Sequence, residues 1–257
     1  MEIHLIVCVK SVILNAPTGK ILRSSDSCEL NPYDRPALET ALRIRDELGG
    51  RVTAVSMGPH SCAFALYEAM AMGVDNAVLV CDPALAGSDT LATSSALAAA
   101  VKKLSPVDMV FFGTRSADSD TGQVGPQTAV LLDLPLVTNV HAWECKDHGL
   151  IVQREADGFL ERLEIGFPGV LTINPVSAPP RDLGLSSIDL VFKQGQVQKW
   201  SLRELGLPPG CVGEAGSGTR VLALSRADRA RKCEFLEGEA EAQVDRLVER
   251  LLESGLI

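Results

Sequence analysis

The stretch "DMVFFG", Asp108–Gly113, is followed at once by "TRSADSDTGQVGPQTA", Thr114–Ala129, and this pair decides the fold class. The first part is a short apolar run, typical of a strand that is buried on both faces of a parallel sheet. The second part is polar, contains Gly122 and Gly125, and is expected to become helical near Val124. A strand, a polar turn and a helix form the repeating unit of a doubly wound α/β sheet.

The same unit recurs on both sides of this stretch. Four further apolar runs read as strands: "IHLIVCVK" (3–10), "RVTAVSMG" (51–58), "NAVLVCD" (76–82) and "LVTNVHAW" (136–143). Helical patterns lie between them at 35–50, 61–73 and 89–104. Because strands and helices alternate, we expect an α/β protein with a doubly wound, mostly parallel sheet and right-handed crossovers.

The pattern changes after about Val140. "GLIVQREA" (149–156) and "FLERLEIG" (159–166) flank "DG", which predicts a β-hairpin, and "GVLTI" (169–173) predicts another buried strand. Beyond this the periodicity fades until a last helix, which carries an apolar stripe of Val244, Leu247, Val248, Leu251 and Leu252. We therefore expect a nucleotide-binding domain over 1–184 and a C-terminal arm and helix over 185–257. The alternative for the arm is a loosely ordered tail.

Composition excludes several classes of protein. The formal net charge of -9 disfavours nucleic acid and anionic lipid, which both attract basic surfaces. The seven cysteines include no CxxC pair, which fits a reducing compartment. The first apolar run is too short for a signal peptide, and no apolar stretch has the length to span a bilayer. We expect a cytoplasmic protein without membrane insertion.

The polar turn after Gly113 has the features of an anion site. Strand-to-helix turns lie at the carboxyl edge of an α/β sheet, where ligands bind, and the first N–H groups of a helix attract phosphate. Glycines allow the backbone to approach a ligand closely. The turn also offers the polar side chains of Asp118, Ser119, Asp120, Thr121, Gln123 and Thr128. The alternative is a capped helix start without a ligand.

Two more polar helix starts follow strands. "NPYDRPALE" begins at Asn31 and has Asp34 as the expected helix cap, and "GSDTLATS" (87–94) places Asp89, Thr90 and Thr93 at another start. Each alone is most simply a cap. Three such starts, however, meet at one edge of the sheet, and their convergence favours a nucleotide-binding site.

Catalytic groupings are scarce. The histidines His4, His60, His141 and His148 show no metal-ligand spacing, and neither GxSxG nor HExxH occurs. Glu39 and Glu68 lie on predicted helices and are expected to be solvated. We therefore predict no catalytic residue and no metal site. A self-contained dehydrogenase is disfavoured because GxGxxG is absent.

Five blocks of the chain, in order, resemble the beta subunit of electron transfer flavoproteins. They are "VCVKSV", "NPYDRPALETALRIRDELGGRVTAVSMGP", "ALYEAMAMGVDNAVLV", "GTRSADSDTGQVGPQTA" and "VQREADGFLERLEIGFPGVLT". The last nearly fits the family signature of Arg154, Glu161, Pro168 and Thr172. It departs at Phe159, where the family usually has glycine or an acidic residue, and this could widen the hairpin turn.

The resemblance implies an adenine nucleotide alpha hydrolase-like fold and a heterodimer. The partner is an alpha subunit whose FAD exchanges electrons with a flavin dehydrogenase. Leu185, in "PRDLGLSSI", falls where the family recognises the dehydrogenase. The following "DLVFKQGQVQKW" has fewer lysines than usual, which argues against an acyl-CoA dehydrogenase as the partner.

The resemblance also implies the residues of a nucleotide site in the beta subunit. Phosphates are expected at the helix start after Gln123, and adenine toward Asn31–Asp34 and Met57. Thr90, Thr93 and Arg115 are expected around a flavin ring. The residues carried over are Cys8, Asn31, Pro32, Tyr33, Asp34, Met57, Asp118, Ser119, Asp120, Thr121, Gly122, Gln123, Val124, Gly125, Pro126, Gln127, Thr128 and Ala129. Gly125→Val is expected to weaken nucleotide binding far more than it weakens folding, because the side chain would block the approach of the backbone to the phosphates.

The identity of the nucleotide depends on the type of member. Ordinary members hold AMP here, and electron-bifurcating members hold a second FAD that accepts a hydride from NADH. "GSDTLATS" and "DTGQVGP" resemble the bifurcating type, whereas Arg115, Ser116 and Ser119 replace the usual glutamine, alanine and glycine. We expect FAD, with AMP as the alternative. A stand-alone ATP-binding regulator is the remaining alternative, and it would lack the hairpin signature and the arm.

Overall fold

A nine-stranded sheet carries helices on both of its faces. The structure is a computed structural model, and it describes residues 2–13, 28–222, 233 and 235–257. The strands are β1 His4–Cys8, β2 Ser11–Val12, β3 Glu29–Leu30, β4 Arg51–Met57, β5 Asn76–Val80, β6 Met109–Gly113, β7 Leu136–Lys146, β8 Gly149–Ala156, β9 Phe159–Gly166, β10 Gly169–Ile173 and β11 Val197–Trp200. The helices are α1 Arg35–Leu48, α2 Ala63–Ala71, α3 Thr90–Leu104, α4 Val124–Leu132, α5 Leu185–Gln194, α6 Leu202–Leu205, α7 Gly213–Gly216 and α8 Ala240–Glu253.

The order of the strands confirms the doubly wound α/β class. The sheet runs β11-β5-β4-β1-β6-β10-β7-β8-β9, and β2 pairs with β3 in a separate ribbon. All pairings from β11 to β7 are parallel, whereas β8 and β9 are antiparallel. The chain proceeds from β1 to β4 and β5 on one side, then returns to place β6 on the other side of β1. The switch point of the topology therefore lies between β1 and β6.

The apolar strand runs are explained by two cores, one on each face of the sheet. Leu5 and Val7 of β1 face the core formed with α1 and α2, while Ile6 and Cys8 face the core formed with α3 and α4. Successive side chains of a strand point to opposite faces, so a strand covered on both sides must be apolar throughout. Every residue of β1 is accordingly buried.

The predicted hairpin is confirmed and keeps a two-residue turn. Asp157 and Gly158 have φ of 52° and 79°, which is the left-handed pair that a type I′ turn requires. Phe159 pairs with Ala156 as the first residue of β9, so the expected widening does not occur. The signature residues Arg154 and Glu161 are cross-strand neighbours whose side chains approach to 2.5 Å.

Glu39 is not solvated as expected. It is buried on α1, where its carboxylate accepts hydrogen bonds from Arg181 Nε at 2.8 Å and Arg43 Nε at 2.7 Å. The backbone N–H of Arg181 donates to the same carboxylate at 3.1 Å. Glu68 is half-buried against Arg35. These pairs were missed because sequence spacing does not show which distant arginine reaches a helix.

Part of the segment after residue 185 packs on α2 and on the edge of the nine-stranded sheet. The ring of Phe192 on α5 lies 5.8 Å from Phe64 and 5.5 Å from Tyr67 on α2, and β11 extends the sheet beyond β5. Leu185, the first residue of α5, is exposed. The chain forms two compact units, Met1–Val221 and Leu222–Ile257.

The second unit contains α8, whose predicted apolar stripe is exposed in the structure. Val244, Leu247, Val248 and Leu252 all lie on the surface, and no residue of the helix is buried. Within the described residues, none of the helices is both long and apolar enough to cross a bilayer.

Candidate functional site

The loops that follow β1 and β6 meet at the switch point. Asn31 joins them, because its side-chain Nδ2 donates to the carbonyl oxygen of Arg115 at 2.9 Å. Its Oδ1 accepts from the backbone N–H of Ala117 at 3.1 Å. Asn31 is buried, so both bonds are shielded from water. The turn at Asn31–Asp34 and the polar turn after Gly113 therefore form one structure, as the sequence predicted.

Asp34 lies at the N-cap position of α1, but its side chain does not cap the helix. The carboxylate instead accepts a hydrogen bond from the backbone N–H of Lys10 at 2.7 Å. Burial raises the pKa of Asp34 to about 7, against the opposing effect of this and other hydrogen bonds to the carboxylate. Asp34 thus fixes the end of β1 to the start of α1, beside the polar loop that follows β6.

Arg115 connects the two loops on the solvent side. Its guanidinium lies 4.6 Å from the centre of the Tyr33 ring, and Nη2 donates to the Tyr33 hydroxyl at 2.9 Å. The same guanidinium forms an ion pair with Asp120 at 3.3 Å. Asp120 and Gly122 have φ of 55° and 63°, so both residues adopt the left-handed backbone conformation before α4 begins.

Lys10, which is not among the residues predicted from the sequence, contacts the polar loop after Gly113. Its Nζ forms an ion pair with Asp118 at 2.7 Å. Both carboxylates of the loop, Asp118 and Asp120, are therefore matched by a cation, Lys10 from the β1 side and Arg115 from within the loop. The only sequence signal for Lys10 is its place two residues after the end of β1, at the carboxyl edge.

The starts of α3 and α4 also meet. Asp89 caps α3, since its Oδ1 accepts from the Ala92 N–H at 2.9 Å. The Thr90 hydroxyl donates to Gln123 Oε1 at 3.4 Å, at the N-cap position of α4. Thr93 is half-buried one turn further along α3. The polar helix starts of α3 and α4 are therefore in contact.

The segment 217–219 contacts Asp89, the N-cap residue of α3. Asp89 Oδ2 accepts from the backbone N–H of Gly218 at 2.9 Å and of Thr219 at 3.2 Å. The Asp89 N–H donates in turn to the Ser217 hydroxyl at 2.8 Å. These bonds hold the pKa of Asp89 below its usual value, chiefly through the Ala92 N–H.

The remaining predicted residues differ in how far they are exposed to solvent. Met57 is half-buried at the end of β4, whereas Cys8 is buried at the end of β1, where burial raises the pKa of its thiol. Thr128 and Ala129 are buried, and the Thr128 hydroxyl donates to the carbonyl of Val124 at 2.7 Å. These two residues lie in the contact between α4 and the sheet, not at its open edge. The exposed or half-buried residues of the loop are Asp118, Ser119, Asp120, Thr121, Gly122, Gln123, Val124, Pro126 and Gln127.

Gly125 is buried where α4 packs on the sheet, so a side chain here is expected to disturb packing in addition to any bound phosphate. A Cβ on this residue would lie 3.0 Å from Thr172 Cγ2 and 3.1 Å from Phe112 Cγ. Both atoms belong to side chains of strands beneath α4. A side chain at position 125 therefore requires these neighbours to shift.

Gly125→Val is expected to lower the free energy of unfolding by about 2 kcal/mol, because overpacking at a helix–sheet contact costs on this scale. Urea denaturation of the purified protein measures the change. Gly210→Val is the control, since a Cβ there meets nothing within 4 Å. Equal stability of the two variants would contradict the packing role.

A separate open cavity of about 430 Å³ lies at the hairpin tip. It is lined by Asn139, His141, Glu155, Asp157, Gly158, Leu160, Asn174 and Val176. None of the predicted site residues lines it.

Comparison with known proteins connects this site to one family. The "Electron transfer flavoprotein domain" family matches residues 18–205. Electron transfer flavoprotein subunit beta of Thermoanaerobacterium thermosaccharolyticum is 39% identical over 240 residues, covering 93% of this chain and 92% of that protein. The Caffeyl-CoA reductase-Etf complex subunit CarD of Acetobacterium woodii is 37% identical over 225 residues, 85% and 86% of the two chains. Protein FixA of Azotobacter vinelandii is 35% identical over 250 residues, 91% and 88% of the two chains.

The family match includes the polar loop at 114–129 and the hairpin at 149–166. Two of the relatives are aligned over 92% and 86% of their own length. The chain belongs to the electron transfer flavoprotein family, on its beta-subunit branch.

Proposed function

We propose that this chain is the beta subunit of a heterodimeric electron transfer flavoprotein and that the switch-point site holds FAD. The observation that supports this most strongly is the convergence of three polar helix starts at the carboxyl ends of β1 and β6. Asn31 joins two of them, and the contact of Thr90 with Gln123 joins the third. Adenine nucleotides bind at this position in doubly wound sheets.

The loop has the chemistry to accept a pyrophosphate. The first N–H groups of α4 have no partner within the helix, and the helix dipole favours an anion there. Lys10 and Arg115 balance Asp118 and Asp120, so the carboxylates of the loop do not repel the phosphates. A lysine that binds the phosphate directly is therefore not required. The half-buried Tyr33 and Met57 offer apolar surface on which an adenine can rest.

The case for FAD over AMP depends on the groups beyond the phosphate turn. AMP requires contacts for adenine, ribose and one phosphate, which the loops after β1 and β6 supply. Thr90 and Thr93 lie outside that minimum and offer two hydroxyls for the polar edge of a larger ligand, while Arg115 stays paired with Asp120 and Tyr33. Bound FAD would supply reversible electron transfer, and we propose NADH as its electron donor. AMP is the alternative ligand.

Partners follow from the family and from exposed apolar surface. We propose an alpha subunit as the permanent partner, contacted by the segment 185–257 through the exposed stripe of α8. A flavin dehydrogenase is the transient partner, with exposed Leu185 at the contact. One relative, CarD, is named as part of a complex with caffeyl-CoA reductase. We propose a cytoplasmic location for the assembly.

Counting the nucleotides of the purified heterodimer tests the proposal. The beta chain is co-expressed with its alpha subunit, the complex is denatured, and released FAD and AMP are separated by chromatography. We expect two FAD and no AMP per heterodimer. One FAD with one AMP would make the protein an ordinary carrier and overturn the FAD assignment. One FAD alone would overturn the nucleotide site in the beta subunit.

A further inference from the structure

Lys10 contacts the nucleotide loop through three acceptors. Its Nζ lies 2.7 Å from Asp118 Oδ1, 3.3 Å from the Ser119 hydroxyl and 3.4 Å from the Ser116 hydroxyl. An ammonium group has three protons to donate, so each can be matched by one of these oxygens. The two hydroxyls also bond to each other at 2.9 Å. The end of β1 is thereby fixed to the turn at 116–119.

The same loop is also held by Arg115, which contacts Tyr33 and Asp120. The two carboxylates of the loop, Asp118 and Asp120, are thus each paired with a cation.

The charge of Asp118 makes this pairing matter for a nucleotide. Partial burial alone would raise the pKa of Asp118, but the hydrogen bond and the positive charge of Lys10 outweigh it and hold the pKa below its ordinary value. Asp118 is therefore ionised at neutral pH. An unpaired carboxylate close to bound phosphates would oppose their binding, because like charges at short range repel strongly where water is partly excluded.

We propose that Lys10 is a positioning residue of the nucleotide site, which acts through Asp118 and not by direct contact with the ligand. It cancels the charge of this carboxylate, which would otherwise repel a phosphate at the start of α4. This inference rests on the proposed function, since it requires a nucleotide at the switch point.

A double-mutant cycle separates this function from direct binding. Removal of the lysine charge in Lys10→Met leaves Asp118 unpaired, and we expect the affinity for nucleotide to fall about tenfold or more, which corresponds to about 1.4 kcal/mol. Asp118→Asn alone removes the carboxylate and leaves the Lys10 ammonium unopposed, so the affinity is expected to match or exceed that of the wild type. The double variant K10M/D118N removes both charges and is expected to return to within about twofold of the wild type. Lys10→Arg, which keeps the charge, is expected to retain most of the affinity.

The experiment uses the heterodimer after its beta-site nucleotide has been removed, with AMP as the probe, since AMP contains the adenine and phosphate common to both candidate ligands. Calorimetric titration gives the dissociation constant of each variant, and a thermal melt confirms that each complex is folded. A double variant as weak as K10M would show that Lys10 does not act through the charge of Asp118, and would overturn the proposal. An unchanged K10M would exclude any contribution of Lys10. Failure of the wild type to bind AMP would instead overturn the proposed nucleotide site.

Discussion

Arg181→Ala is expected to lower the free energy of unfolding by about 3 kcal/mol, because it removes the main partner of a buried carboxylate. Glu39 is buried on α1, and Arg181 supplies three of its hydrogen bonds, from Nε at 2.8 Å, from Nη2 at 3.4 Å and from the backbone N–H at 3.1 Å. The variant loses the guanidinium and leaves Glu39 with Arg43 and the backbone N–H of residue 181. Denaturation with urea at neutral pH measures the change.

Arg43→Ala is the matched control, because Arg43 contacts the same carboxylate from a more exposed position. Exposed ion pairs contribute about 1 kcal/mol or less, so a small effect is expected. Equal losses in the two variants would contradict the account.

The effect of Arg181→Ala should depend on pH. Burial raises the pKa of Glu39, but hydrogen bonds from Arg181 and Arg43 outweigh it and lower the pKa overall. The contribution of the pair is therefore complete above the unfolded pKa of about 4.3 and is lost as pH falls through the lower folded value. The stability difference between wild type and variant should shrink in acid. A difference that stays constant down to the acid transition would argue against an ionic origin.

Gly113→Ala is expected to cost about 3 kcal/mol of stability and to remove nucleotide from the complex, because a side chain there collides with the site. A Cβ at this position would lie 2.4 Å from Asp34 Oδ1 and 2.5 Å from the carbonyl oxygen of Tyr33. The second atom is backbone, so the turn at Asn31–Asp34 must move away from the end of β6. The bonds that Asn31 forms with the nucleotide loop would then be strained.

Two measurements check this prediction: a melt of the heterodimer and its content of FAD and AMP after purification. Gly210→Ala is the control, since a Cβ there has nothing within 4 Å. A Gly113→Ala complex with normal nucleotide content and only reduced stability would show that the turn at Asn31–Asp34 is not part of the site.

The strands and helices of the sheet unit were predictable because their hydrophobic patterns are set by burial on two faces. β1 and β6 read as continuous apolar runs for this reason, and the Asp-Gly turn identifies the hairpin by its need for positive φ. By contrast β11 has four residues and no buried one, and α5 packs mainly through aromatic contacts with α2. Short, half-exposed elements such as these leave little periodicity to detect.

The sequence allowed a partial prediction of which residues come together at the candidate site. It did not allow a prediction of the contacts that their side chains form. The sequence placed Asn31, Asp34 and the turn after Gly113 at one edge, and the structure brings them together. It could not show that Asp34 bonds to Lys10 instead of capping α1, or that Gly125 faces the sheet. Both depend on contacts between residues far apart in the chain, which spacing along one helix or strand does not encode.

We propose that an adenine nucleotide occupies the carboxyl edge between β1 and β6. A crystal structure of the purified heterodimer, with no nucleotide added, tests this most directly. Electron density is expected for an adenine nucleotide whose phosphates adjoin the first residues of α4, close to the Lys10–Asp118 pair. An empty switch point, or a nucleotide in the cavity at the hairpin tip, would contradict it.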